Sequence, residues 1–123
     1  MRDLERFTQR DDLPALVQAA VAHAQFETIH PFADGNGRTG RALIHVILRA
    51  RGITTSAALP ISVGLLSDTA GYFDTLSAYR DGDVEPVIAL FARSALAATE
   101  RGTWLANELN DVREEWNDQL TAR

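Results

Sequence analysis

The chain reads as an all-α protein: a compact helical bundle in which a glycine-rich loop leads into a central helix. Three observations predict it. Apolar residues recur at helical spacing, as in Leu16, Val17, Ala20, Val21 and Ala24. Proline and glycine fall between such stretches, where helices start and stop. The two-residue alternation of a strand is weak throughout.

Each element follows in order. Residues 1–10 are polar with apolar positions at Leu4 and Phe7, which suits a short helix. Asp11 or Asp12 is expected to cap the next helix, with Pro14 in its first turn, and the periodicity runs to about Thr28. Pro31 and the glycines after it break that helix. From about Gly37, the run Leu43, Ile44, Val46, Ile47 and Leu48 is apolar nearly all round, as in a helix central to a bundle. Arg49 and Arg51 mark its C-terminal end, with Gly52 as the residue that reverses the chain. Residues 53–60 form a connector, and a brief helix spans Ile61–Leu66. Asp68 caps another running to Arg80, with an aromatic stripe at Tyr72, Phe73, Leu76 and Tyr79. After the turn Asp81-Gly82-Asp83, Pro86 opens a helix through Val87, Leu90, Phe91, Ala95 and Leu96. Gly102 is expected to separate it from a last, more polar helix carrying Trp104, Leu105, Leu109, Trp116 and Leu120. Those two tryptophans leave room for a homodimer interface.

Composition bounds what such a bundle can do. At 123 residues, with no repeat or linker, residues 1–123 form one domain. Cysteine is absent, which removes disulfides and thiolate metal sites. A net charge of −5 argues against nucleic acid, which needs a basic face. No apolar run reaches membrane-spanning length and the start lacks the order of a signal peptide, so a cytoplasmic location without membrane contact is expected. All 12 basic residues are arginine, from which no function is drawn.

The chemistry concentrates in one stretch, His30-Pro31-Phe32-Ala33-Asp34-Gly35-Asn36-Gly37-Arg38-Thr39-Gly40-Arg41. Gly35 and Gly37 around Asn36 can turn backbone N–H groups toward a common point, an anion nest. Asn36 suits an N-cap, so the dipole of the next helix faces that point as well. Arg38 and Arg41, at i and i+3, add two guanidiniums on one face. Together these residues suit a polyphosphate. Asp34 offers the hard oxygen that Mg²⁺ prefers, and His30 is the nearby group able to accept a proton near neutral pH. Phe32 is read as the loop's anchor in the core.

This stretch resembles the signature of the Fic family, His-Pro-Phe-x-(Asp/Glu)-Gly-Asn-Gly-Arg-x-x-Arg, and fills every fixed position of it. The likeness extends to His23-Ala24-Gln25-Phe26-Glu27-Thr28-Ile29 before it and to Tyr72, Phe73 and Leu76 after it, covering residues 4–97. The resemblance implies a protein adenylyltransferase that binds ATP with Mg²⁺ and moves AMP to a Ser, Thr or Tyr hydroxyl of a target protein. It implies His30 as general base, Asp34 as the Mg²⁺ holder and Asn36 at the α-phosphate. Arg38 would meet the β-phosphate and Arg41 the γ-phosphate, with Tyr72 near the base. A phosphorylating relative has Lys at the position of Gly37, so glycine favours AMP transfer; relatives that move UMP or phosphocholine leave the nucleotide open. The family's inhibitory pattern (Ser/Thr)-x-x-x-Glu-(Gly/Asn) is not found here, and 29 helix-like residues precede His30 where relatives carry a β-hairpin flap. The chain is therefore expected to begin inside a Fic core, with flap and inhibitory helix outside it.

Plainer readings stand beside these. His30 could cap a helix, Asp34 could bond its own turn, and the arginines could be a solvated face. His23, Glu27 and His30 could hold a structural zinc, although the spacing is not that of a zincin, and His23 and Glu27 are read rather as making buried hydrogen bonds behind the loop. Tyr72 could be a core aromatic. Two further classes stay open: a nucleotide-binding module without catalysis, and a protein-interaction domain.

Overall fold

Six helices carry the regular structure, and no strand is present among the described residues. They are α1 (Arg2–Thr8), α2 (Ala15–Ile29), α3 (Asn36–Ala50), α4 (Ile61–Leu66), α5 (Thr69–Arg80) and α6 (Glu85–Thr121). These come from a computed structural model that describes residues 1–55 and 59–122. The connector expected over 53–60 is thus described at its two ends, and residues 56–58 lie outside the described residues. No helix among those described is long and apolar enough to cross a membrane.

α2 is the most enclosed helix. Ala15, Ala19, Ala20, Ala22 and Ala24 line it, and these short side chains let α1, α3, α5 and α6 approach closely. α3 follows the loop as expected but buries one face only, through Gly40, Ile44, Ile47 and Leu48, while Val46 stands 62% exposed. Its charged and polar residues keep the other face in water. α3 ends as Gly52 implies: this residue has φ +71° and its N–H bonds Arg49 O, while Ile53 N–H reaches Leu48 O. That bond pair is the Schellman arrangement.

Two caps differ from expectation. Neither Asp11 nor Asp12 caps α2; Pro14 occupies the N-cap with no side-chain bond, and Asp12 instead pairs with Arg10. Arg51, read as a helix-end charge, reaches across the molecule. Its guanidinium donates to Arg10 O, Asp11 O, Leu13 O and Gln18 Oε1. It satisfies the carbonyls of the α1–α2 turn, and the Gln18 amide donates to Phe7 O and Arg10 O beside it.

Downstream, Asp68 caps α5 by accepting from Gly71 N–H at 3.0 Å, as its position predicts. α4 packs on α6 where Gly64 meets Ser94; a Cβ at Gly64 would lie 2.9 Å from Ser94 Cα. The largest departure is Gly102. It does not separate two helices, because α6 runs unbroken for 37 residues. A lone glycine costs a helix about 1 kcal/mol, too little to stop a long one. From Thr99 to Ala122 every residue of this arm is exposed.

Candidate phosphate-binding site at the α2–α3 loop

The sequence between α2 and α3 must reverse direction within six residues, and His30 begins the reversal. It is the C-cap of α2, with φ +50° and ψ +58°, and its N–H still bonds Phe26 O at 2.9 Å. No other non-glycine among the described residues has positive φ. Histidine tolerates this left-handed conformation better than most residues, and such a conformation is held only where surroundings fix it. Here the imidazole is turned out of the core and exposed.

Asn36 fixes the other end. Its side chain accepts from Phe32 N–H at 2.9 Å and donates to Phe32 O at 2.6 Å, so one amide holds both backbone groups of one loop residue. This changes two expectations. The N-cap of α3 is Gly35, with φ +82°, and Asn36 is the first helical residue. The loop is anchored through the backbone of Phe32, whose ring is 50% exposed and tilts against Phe26 at 6.2 Å.

The glycines also divide their work. Gly35 alone takes the left-handed turn, whereas Gly37 is already helical, so the nest is not a pair of glycines around Asn36. At Gly37 the constraint is space, because a Cβ would lie 3.1 Å from Arg41 Nη1. Arg41 therefore folds back over the start of α3. No side chain caps that start, which leaves its first-turn N–H groups and positive dipole end available to an anion.

Asp34, Gly35 and Arg38, with Phe32, Thr39 and Ala42, line an open depression of about 590 Å³. Asp34 Oδ1 accepts from Gly35 N–H at 2.7 Å, and Oδ2 lies 3.9 Å from Arg38 Nη2. Both side chains are solvent-exposed, so their mutual attraction is weak and each is free to take a ligand. The structure brings Asp34, Gly35 and Arg38 to one depression; His30 and Arg41 flank it in sequence without lining it.

Tyr72 sits elsewhere. Its side chain is buried, and its hydroxyl meets His23 Nε2 at 2.8 Å. Burial pushes the Tyr72 hydroxyl up to about 12 and pulls His23 below its ordinary value. The buried hydrogen bonds expected of His23 and Glu27 are half realised: His23 bonds Tyr72, while His23 Nδ1 and Glu27 Oε1 have no partner among the described residues. No group of three or more His, Asp or Glu among those residues could hold a metal, so His23, Glu27 and His30 form no zinc site. A single exposed carboxylate such as Asp34 fits Mg²⁺, which is commonly held by one or two carboxylates together with substrate phosphates.

One contributor escaped the sequence reading. A Cβ at Gly40 would lie 2.5 Å from Glu27 Oε1 and 3.2 Å from His23 Nδ1. Glycine here lets α3 lie against α2 directly behind the loop. A glycine inside an otherwise helical run was the available signal.

Comparison with known proteins points to one family. A model of the Fic/DOC family matches residues 1–48, from α1 into α3. The chain is 32% identical to the protein adenylyltransferase Fic of Aedes aegypti over 92 residues, 75% of this chain and 17% of that protein. It is 33% identical to the protein adenylyltransferase fic-1 of Caenorhabditis elegans over 84 residues, 68% of this chain and 15% of that one. With the protein adenylyltransferase Fic of Nematostella vectensis it shares 37% over 75 residues, 61% of this chain and 16% of the relative. The chain thus spans about one sixth of the length of the curated relatives it matches.

Proposed function

Because this chain belongs to the Fic/DOC family, we propose that it carries the nucleotide site of a protein adenylyltransferase. It would move AMP from ATP to the hydroxyl of a Ser, Thr or Tyr in a target protein. The observation that supports this most is the uncapped start of α3, beside the exposed Asp34 and Arg38 in one open depression.

In this reading, the first-turn N–H groups of α3 and the Arg38 guanidinium receive the phosphates. Arg41, free to swing off Gly37, meets the γ-phosphate, and Asn36 keeps the loop in the shape that presents the α-phosphate. Asp34 would hold Mg²⁺, which when bound offsets the negative charge of the phosphates. His30 accepts the proton of the attacking hydroxyl as its oxygen bonds to the α-phosphorus, and pyrophosphate leaves. A positioned base of this kind contributes about 10²–10⁴-fold. Charge placement supplies most of the remainder in phosphoryl-type transfers, so a small rigid loop suffices. A buried Tyr72 would act from behind the site, through His23.

The test is incubation with Mg²⁺, cell lysate and ATP labelled at the α- or the γ-phosphate, with His30→Ala alongside. Protein labelled from the α-position only, and lost in His30→Ala while ATP binding persists, is the expected result. Label from the γ-position would mean phosphate transfer and overturn the reading. ATP binding that needs Arg38 but yields no transfer would make the chain a nucleotide-binding module instead.

A further inference from the structure

The exposed arm of α6 has a pattern of its own. From Phe91 to Trp116, residues on one seam are spaced alternately four and three apart, the repeat of a helix that packs along another helix. The first half of that seam is filled by the bundle: Phe91 is fully buried and Ala98 nearly so. The second half continues in the same register with Leu105, Leu109, Val112 and Trp116, and these are 44–66% exposed. An apolar seam of this length on a surface is uncommon, and a polar-flanked one marks an interaction site.

The edge of the seam says what fits it. Along the first half, the flanking positions hold Val87 and Ser94, both buried against the bundle. Two and three repeats beyond Ser94, past Arg101, the same flank holds Glu108 and Glu115, with Asp111 and Asp118 just outside it. The opposite flank has Ala106, Arg113 and Leu120. Between Gly102 and Thr121 there are five carboxylates and one arginine, hence a net charge of −4.

We propose that residues 102–120 form the docking face for a basic amphipathic helix of another protein. Its apolar residues would fill the seam, and its lysines or arginines would lie along Glu108, Asp111, Glu115 and Asp118. A second copy of this chain fits less well. In an antiparallel pair that sets Leu105 against Trp116 and Leu109 against Val112, Glu108 faces Glu115 of the second copy, and two arms of −4 repel. In a parallel pair, the second bundle would need the space that the first occupies. An anionic membrane would be repelled by the same carboxylates. The proposal stands independently of the nucleotide site.

Two synthetic four-heptad peptides without tryptophan test it, one flanked by Lys and one by Glu, on the full chain carrying Trp104→Phe so that Trp116 reports alone. The Lys peptide is expected to bind one to one, with a blue shift of Trp116 emission, and the Glu peptide at least tenfold more weakly. Glu108→Lys with Glu115→Lys, or Leu109→Asp, should weaken the Lys peptide at least tenfold. All these positions are exposed, so circular dichroism should stay unchanged. Equal binding of both peptides, binding unaffected by Leu109→Asp, or no shift at millimolar peptide would each overturn the proposal. So would a dimer in sedimentation equilibrium with Trp116 shielded from acrylamide, or a Trp116 shift on vesicles rich in anionic lipid.

Discussion

Behind the α2–α3 loop, His23 is enclosed and hydrogen-bonded to Tyr72, whereas seven residues later His30 stands exposed where the loop begins. The two histidines leave the same helix in opposite environments. At the back, no atom could be added at Gly40 without displacing Glu27. At the mouth, Asp34 and Arg38 touch little and face water. The difference teaches how a short loop can be both open and fixed: tight packing behind it replaces the contacts it does without in front.

Substitutions at the back should cost stability and those at the mouth should not. Gly40→Ala is expected to be the most damaging, at about 2 kcal/mol, because its Cβ would press on the buried end of Glu27 and on the ring of His23 together. Chemical unfolding would check it; a cost under 0.5 kcal/mol would mean that the helices separate easily. Tyr72→Phe comes next, at about 1–2 kcal/mol, since it leaves His23 Nε2 buried without a partner.

A pH series sharpens the contrast. His23 is held below its ordinary value by burial, against the pull of the Gly40 backbone and Glu27 and with some help from Arg41, so the unfolded chain binds its proton more readily. Its share of stability is therefore present above about 6.5 and is lost as pH falls below that. Tyr72 works in the other direction: with the hydroxyl pushed up to about 12, its share is full below its ordinary value of 10.0 and is lost as pH rises from there. Melting curves of His23→Gln should show a flatter acid limb, and those of Tyr72→Phe a flatter alkaline one. The smallest effect belongs to the mouth. His30→Gly should raise stability by about 0.5 kcal/mol, because glycine adopts a left-handed φ without strain. A loss there would show that the imidazole also supports the fold.

How much of this was legible beforehand follows from what each feature depends on. Asp68 as a cap, Gly52 as a chain reversal and the separate helices α4 and α5 rest on local chemistry, and all were readable from neighbouring residues. The Fic signature was readable too, because it is contiguous. What could not be read depends on distant partners. Arg51 serves a turn some forty residues upstream, Tyr72 serves His23 across 49 residues, and the space at Gly40 is set by another helix. Asn36 misled for a subtler reason: an amide suited to capping its own helix bonded the loop before it instead. Gly102 misled because a breaker was read without weighing the helix on either side.

The length of α6 has a consequence for how the molecule moves in solution. Its 37 residues extend about 55 Å at 1.5 Å per residue. A globule of about 100 residues has a radius of gyration of only about 13 Å. The chain should therefore tumble as an elongated body, with two well-separated rotational correlation times. On a gel-filtration column it would elute ahead of a 13.5 kDa sphere and pass for a dimer. Mass measurements that ignore shape will misjudge it, and only an equilibrium method will count its copies correctly.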